Sequence, residues 1–580
     1  MNLNINHIDP NTGEESIKSE NIKDTNTNII SLFQRKNLSE LLFPNTTHNI
    51  EYYEDLYPKR IPGEVITRYA PSPTWFMHIG NFYTAYIAER IAHQNNGKFL
   101  LRIEDTDKQR EISWGIESII KSLNTFWLKN DEGIITDSHQ ETWEHWPYIQ
   151  SMRKDIYSTV VKSLIEQGLA YPCFMTIKEI DEIRKEQTES KLPIGIYKGS
   201  SKRRDANIEE IKKKILNKTP YVIRLKSPWE IDKKIKIIDE IKGELNLSEY
   251  FHDVVLIKID GLPTYHLTHV VDDHFMRTSH ITRSDERLPS LPLHIQLFNI
   301  MGWEIPKYLH ISPILKEENG KKRKISKRKD PEANLEYFTK KGYQQEALKG
   351  YLLTIIDSWY ETRKKENPKA KTEEFKIDYN NMSKSGALFD EQKLESISQN
   401  QINNLSLDEF FNLTKNRAKE HNPKLYDYII QDEKYFKLFI WIDILEGKGL
   451  KRFKKISDVE NLLFFLDDEY TKTIENNTKK EKIISEDIKN TIETYVSTVW
   501  FQEDKELWFE DLKKTCEKHG FVSNKKVFTE WKDKGIISDI TTAFKFILTW
   551  SEKAPDLFGL IKIMGTERVY KRIKYFIANY

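Results

Sequence analysis

The chain has 580 residues, with 90 Lys and Arg against 89 Asp and Glu for a net charge of +1. That length suits two to four domains, 38% hydrophobic residues suffice for real cores, and the even charge balance neither demands nor excludes a polyanionic partner. Two cysteines, Cys173 and Cys516, exclude a disulfide framework and a Cys-rich zinc site and fit a reducing cytoplasm, while no apolar run approaches the ~18 residues of a membrane span.

Residues 1–32 are rich in Asn, Glu, Lys, Thr and Ser and poor in aromatics. They read as a disordered tail, and without an apolar stretch they are not expected to act as a signal peptide. From Ser31 onward Leu, Phe and Tyr return. Glu64–Tyr69 (EVITRY) predicts a short strand, followed by the proline-bounded turn Ala70–Thr74. Phe82–His93 carries apolar residues at helical spacing and stops at Asn96-Gly97. Lys98–Ile103 (KFLLRI) predicts a second strand with Glu104, Asp105 and Asp107 at its end. Strand, turn, helix, strand opens a doubly wound α/β sheet, in which ligands bind at the carboxyl ends of strands.

Residues 171–260 break this pattern with Lys- and Glu-rich helical pieces (IEEIKKKILN) and β pieces (YVIRLKS). They read as an α+β insertion between two half-sheets. The α/β character resumes at Gly261 and runs to about residue 315. A basic loop, Lys321–Lys329, follows, and the remainder to Tyr580 reads as almost wholly helical. No internal repeat is visible.

Two short motifs carry chemistry. His78-Ile79-Gly80 sits between a proline turn and a helix N-terminus, where backbone N–H groups favour anions. Alone it is a weak signal, since a single His is more often a satisfied turn residue. Lys324-Ile325-Ser326-Lys327-Arg328 (KISKR) reads as a solvated basic loop by default, but its place after the second half-sheet suits a loop folding over a triphosphate.

Taken together the text is specific. ITRYAPSPT, HIGN, LLRIEDTD, LPTYHLTHVVDDHFMRTSHITRSDE, LPSLPLHIQLF, YLHISPIL, KISKR, SGALFD and APDLFGLIKIMGTERVYKRI resemble the bacterial-type glutamyl-tRNA synthetases, a family of class I aminoacyl-tRNA synthetases. The resemblance covers roughly residues 40–580. A glutaminyl enzyme would read nearer PEPNG than APSPT.

The resemblance implies an α/β Rossmann-type catalytic domain with an α+β insertion and an all-α anticodon-binding region. The first half-sheet is expected over 33–170, an inserted acceptor-binding domain over 171–260 and the second half-sheet over 261–315. The KISKR loop and a helical junction follow over 316–390, and the anticodon-binding domain over 391–580. The implied reaction joins L-glutamate to tRNA-Glu through a glutamyl-adenylate, releasing AMP and pyrophosphate, in the cytoplasm and by a monomer. ATP is the implied nucleotide substrate, bridged by Mg²⁺. No zinc is expected: Cys173 has no second cysteine nearby, and no metal-ligating residues are assigned. A catalytically inactive tRNA-binding paralogue and a glutaminyl enzyme are the alternatives.

The family pattern assigns roles by position. His78 and Lys327 are the implied catalytic pair, neutralising charge at the α-phosphate and the departing pyrophosphate. Gly80, Asn81, Lys324 and Ser326 complete the ATP contacts. Arg68 and Arg283 would clamp carboxylate through bidentate bonds, Glu104 would hold the ammonium, and Ser72 and Tyr265 would add hydrogen bonds. Ser284, Arg287 and His269 stand where the family usually has Gly, Trp and Asn. Met382–Ser385 (MSKS) mimics the family signature by letters, yet Asn381 precedes it where a lysine is needed, and no catalytic role is expected of it. In the helical half, stacking of unpaired anticodon bases on aromatic or arginine side chains is the expected mode.

The glycine count is low. Gly is 22 and Trp 13 of 580, and pooling them brings the share near the usual glycine figure of about 7%. Trp75 stands where the family reads SPTG, and Trp114, Trp127, Trp146, Trp229 and Trp550 stand less securely at similar turn positions. Two readings are open: a decayed paralogue, or glycines written as tryptophan because the host reads UGA as glycine. Decay would not confine itself to glycines, so the counts favour the second.

Overall fold

The computed structural model describes residues 32–580 except 74–75, 108–113, 136–139, 199, 201–203, 369, 446–449, 451, 467–483, 499–500, 524–525, 529–532, 550–553 and 580. The expected tail therefore lies outside the described residues apart from Leu32, and so do Trp75 and Trp550.

Strand β1 (Ile66–Tyr69) is buried along its whole length and pairs in parallel with β2 (Lys98–Leu101), Arg68 opposite Leu100. Burial on both faces is what a parallel strand inside such a fold shows, and here it takes in two polar side chains, Thr67 and Arg68. The crossover is the helix Ile79–His93. It starts three residues before the periodic stretch recognised in the sequence, because His78 serves as its N-cap and its Nδ1 accepts from the Gly80 N–H at 2.9 Å. β3 (Glu132–Gly133) completes this sheet in the order β1-β2-β3.

Residues 171–260 contain the helices Ile177–Glu189 and Ile208–Leu216. Four strands fall in or beside them: β5 (Val222–Leu225), β6 (Lys234–Asp239), β7 (Gly243–Ser248) and β8 (Val255–Ile257), with β4 (Ala170–Cys173) leading in. β4, β5 and β8 form their own sheet. The β6–β7 hairpin does not stay with it. It joins β9 (His280–Ser284) and β10 (Lys307–Ile311) in the order β7-β6-β10-β9. The second half-sheet thus recruits two strands from the segment read as an insertion, and a boundary at 260 does not follow the sheet.

The two half-sheets abut through Ser279, whose N–H donates to the Ile66 carbonyl at 3.0 Å and whose hydroxyl accepts from the Ile66 N–H at 2.7 Å. Beyond them lie β11 (Ile314–Glu318), β12 (Lys321–Lys324) and β13 (Ala387–Leu388), in the order β12-β11-β13. The C-terminal region is built of helices, from Glu391–Asn403 to Thr566–Asn579, around an apolar core that includes Phe410, Phe436, Phe439, Ile492 and Phe544. Two-residue strands at Phe521–Val522 and Gly535–Ile536 are the described exceptions.

Of the tryptophans singled out, Trp127 alone among the described ones holds a positive φ, +53°. It follows the helix Gly115–Thr125.

Candidate active site

A cavity of about 360 Å³ opens where β1, β9 and β10 end. Arg68, Ser72, His78, Gly80, Asn81, Glu104, Tyr265, Arg283 and Lys324 all line it. Nine of the eleven residues named from sequence therefore share one space, although 256 positions separate the first from the last. Ser326 and Lys327 lie just outside its lining. A cavity of about 470 Å³ among the C-terminal helices is lined by Tyr495, Phe501, Trp508, Phe544 and Tyr570, and among the described residues no Lys, Arg or His is in its wall.

One wall of the cavity is made by two loops in contact. His78 uses Nδ1 as an acceptor for Gly80, which places the ring proton on Nε2. Burial, then Lys327 and Lys324, lowers its pKa, against the opposing pull of a hydrogen bond to the Ile325 backbone. The ring is neutral at pH 7. Lys327 donates from Nζ to the Phe76 carbonyl at 2.6 Å, and the Leu335 N–H donates to the Met77 carbonyl at 3.1 Å. The KISKR loop is folded down on HIGN. Ser326 is held by its own N–H to Asp330 Oδ2 at 2.9 Å, and Lys324 pairs with Glu286 at 2.6 Å.

The two arginines differ. Arg68 gives Nε and Nη2 to the two oxygens of Asp273, at 2.9 and 3.2 Å, and Nη1 to the Thr282 carbonyl at 3.2 Å. Its fork is taken by a buried carboxylate, so the bidentate clamp expected of it faces the protein. Arg102, fully buried, shares Asp273 at 2.8 Å and reaches Glu104 at 3.2 Å. Burial raises the Glu104 pKa, with Arg102 and Arg68 pulling the other way.

Among the described residues, Arg283 has only neutral partners. Nε donates to His310 Nε2 at 2.8 Å, and Nη1 donates to His294 Nδ1 at 3.0 Å and lies 3.4 Å from the Tyr265 hydroxyl. Its Nη2 is buried with no hydrogen-bond partner, and the residue is 6% exposed. A buried cation facing no carboxylate is costly, and the orphaned donor lies on a residue that lines the cavity. Burial drives the His294 and His269 pKa values far down, and neighbouring histidines and Arg283 add to the effect. Burial lowers His266 to about 4. The set stays neutral around the guanidinium. Arg287, in the position where the family usually has Trp, lays its guanidinium over the Tyr265 ring at 4.6 Å.

Sequence reasoning passed over Asp273, Arg102, His294, His310 and Asp239. Single histidines within the apolar runs LPLHIQLF and YLHISPIL were the available sign, since a buried histidine needs partners. MSKS lies beside the β11–β13 pairing. The Lys384 carbonyl accepts from Lys242 Nζ at 2.8 Å, and none of the four residues lines the cavity. Cys173 and Cys516 are both buried. Among the described residues no group of His, Cys, Asp and Glu could hold a metal ion, and no helix is long and apolar enough to cross a membrane.

Comparison with known proteins gives this arrangement a family. Residues 64–396 match the catalytic-domain model of class I tRNA synthetases (E and Q). A glutamate–tRNA ligase of Clostridium perfringens strain SM101 is 42% identical over 94% of this chain and 99% of its own length. That of Sorangium cellulosum is 34% identical over 91% and 97%. A crystal structure of a glutamate tRNA ligase from Elizabethkingia meningosepticum, in complex with its amino acid, superposes with a TM-score of 0.69 at 27% identity, covering 89% of this chain and 99% of that one. The chain belongs to the class I tRNA synthetases, within their glutamate–tRNA ligase family.

Proposed function

We propose that the chain ligates L-glutamate to tRNA-Glu in two steps, in the cytoplasm and as a monomer. In the first, the α-carboxylate of glutamate attacks the α-phosphorus of ATP and displaces pyrophosphate, leaving glutamyl-adenylate; magnesium would enter with ATP as part of the nucleotide substrate. In the second, the 2′-hydroxyl of the terminal tRNA ribose attacks the acyl carbon and AMP departs. Both steps depend mostly on positioning and charge stabilisation. The neutral His78 ring and the Lys327 ammonium face the phosphates. Gly80 and Asn81 at the helix N-terminus, with Lys324 and Ser326 on the loop, complete the nucleotide contacts. Glu104 holds the amino group, and Ser72 and Tyr265 hydrogen-bond the amino acid.

One observation carries the choice of substrate: the buried Arg283 guanidinium with its unpartnered Nη2. A glutamate side-chain carboxylate supplies the missing counter-charge. Glutamine supplies only a neutral amide and loses a charge-assisted hydrogen bond worth about 1.5–3 kcal/mol, roughly a ten- to hundredfold preference. Arg68, already neutralised by Asp273, contributes to the wall of the pocket and to its field. The helical region beyond residue 391 takes the anticodon.

ATP–pyrophosphate exchange in the presence of tRNA tests the reading. Exchange with glutamate is expected. Exchange with glutamine instead points to a glutaminyl enzyme, and no exchange with retained tRNA binding points to an inactive paralogue; either result overturns the proposal.

A further inference from the structure

Arg283 is held by a chain of groups that crosses three adjacent strands. Arg283 on β9 and His310 on β10 are direct register partners. Asp239 ends β6, on the other side of β10, opposite Tyr308. The Arg283 Nε–H donates to His310 Nε2 at 2.8 Å, so that nitrogen must carry a lone pair and the ring proton must sit on Nδ1. Nδ1 lies 2.7 Å from Asp239 Oδ2. The carboxylate is itself fixed by the backbone N–H groups of Ile241 and Lys242, at 3.1 and 2.8 Å, and of His310 at 3.1 Å. His310 and Asp239 are essentially shielded from solvent, 0% and 1% exposed.

The consequence is geometric. A guanidinium is planar, so fixing Nε and Nη1 fixes the direction of Nη2. His310 fixes Nε, and His294 fixes Nη1. The Tyr308 ring lies 4.8 Å from the guanidinium carbon and supports the plane from one face. Each acceptor is uncharged, so none neutralises the cation and none competes for Nη2. An aspartate in direct contact would do both, as Asp273 does to Arg68. Placing the aspartate one imidazole further away keeps the order without the neutralisation.

We propose that Asp239 and His310 are positioning residues for the amino-acid substrate. Asp239 sets the His310 tautomer, and His310 aims Arg283 so that Nη2 meets the substrate carboxylate. The inference rests on Arg283 being the carboxylate-binding group of the reaction proposed above. Neither residue touches substrate.

The test uses the full chain in tRNA-dependent ATP–pyrophosphate exchange, with four variants: Arg283→Lys, His310→Leu, His310→Asn and His310→Gln. His310→Leu removes the acceptor. His310→Asn keeps an amide for Asp239 but is too short to reach Arg283. His310→Gln can offer its carbonyl oxygen near the lost Nε2. The glutamate KM should rise roughly tenfold or more for His310→Leu and His310→Asn, with kcat at saturating glutamate and the ATP KM little changed. His310→Gln should recover to within about threefold of the parent. A folding defect alone would disturb the ATP KM and tRNA affinity as well. If His310→Leu does not fold, His310→Asn carries the comparison. An unchanged glutamate KM in a folded His310 loss variant, with Arg283→Lys impaired, overturns the positioning role and leaves Arg283 in place. An unchanged KM in Arg283→Lys overturns the underlying assignment and the positioning role with it.

Discussion

Lys327 donates to the Phe76 carbonyl at 2.6 Å across 251 residues of chain, tying the tip of the KISKR loop to the turn in front of His78. Lys327→Ala removes that cation without removing a core group, since Lys327 is exposed. Pyrophosphate exchange should fall by orders of magnitude while tRNA binding is retained, because charge stabilisation at a developing phosphoryl transition state is commonly worth ~10²-fold or more. A near-parental exchange rate would remove Lys327 from the chemistry.

Asp273 is the counter-charge for two buried arginines, Arg68 and Arg102. Burial alone would raise its pKa, yet the two guanidinium groups outweigh that and hold it at about 2. Asp273→Asn leaves Arg68 facing a neutral amide, while Arg102 keeps Glu104 and Asp272. Breaking a buried pair from one side costs about 3–5 kcal/mol, so the unfolding midpoint in urea should drop clearly, and the glutamate KM should rise as Arg68 and Arg102, the latter bonded to Glu104, lose their shared anchor. Because the native pKa is depressed, this stabilisation is complete above the ordinary Asp value near ~4 and is lost as pH falls toward 2. A variant with the parental midpoint at pH 7 would show that the pairing contributes nothing.

The parts of the site legible in sequence were local. EVITRY and KFLLRI announced strands as short β-branched or apolar stretches bounded by a proline turn and an Asn-Gly stop, and HIGN sat at the mouth of the helix between them. What joins distant strands was not legible. The β6–β7 hairpin alternates Lys with Ile and Glu with Leu, a pattern that fits any half-exposed hairpin, and only its pairing with β10 moves it into the catalytic half. The unequal fates of Arg68 and Arg283 follow the same rule. Each arginine sits on a strand end, but Asp273, which neutralises the first, lies 205 positions away. No local pattern distinguishes them.

Trp127 occupies the residue after a helix in a left-handed conformation, φ +53°. Its N–H donates to the Asn124 carbonyl at 3.1 Å and the Leu128 N–H to the Leu123 carbonyl at 3.0 Å, the paired bonds of a Schellman ending whose left-handed residue is usually glycine. A side chain there costs roughly 1–2 kcal/mol, against about 0.5–2 kcal/mol from the contact of the exposed Trp127 ring with the buried Lys349 ammonium. Trp127→Gly should therefore be neutral to stabilising in a chain made with tryptophan, read as the urea midpoint; a clear loss would contradict the backbone argument. Lys191, Lys218 and Arg277 take the same φ, so conformation alone does not decide which residue the host inserts. Intact mass of the chain purified from its native host does: UGA read as glycine makes it lighter by one Trp-to-Gly difference per recoded position. An unshifted mass removes that reading.

His93 closes the helix Ile79–His93 and bridges two carboxylates, Nδ1 to Glu89 at 2.8 Å and Nε2 to Asp131 at 2.8 Å. Asp131 also accepts the Phe99 N–H at 2.8 Å, so the bridge fastens the helix end to β2. The hydrogen bond to Asp131, then that to Glu89, raises the imidazole pKa to about 9, with partial burial opposing. The native pKa lies above the unfolded value of about 6.5, so the protonated form contributes stability that is fully present below pH ~6.5 and is lost as pH rises through 9. The side chain is 30% exposed, and solvent screening reduces the contribution to about 1–2 kcal/mol. His93→Gln keeps two hydrogen-bonding atoms but carries no charge. Its urea midpoint should fall below the parent at pH 6 and approach it at pH 10, after the parental imidazole has lost its proton. Equal gaps at both pH values would mean that the bridge acts through packing and not through charge.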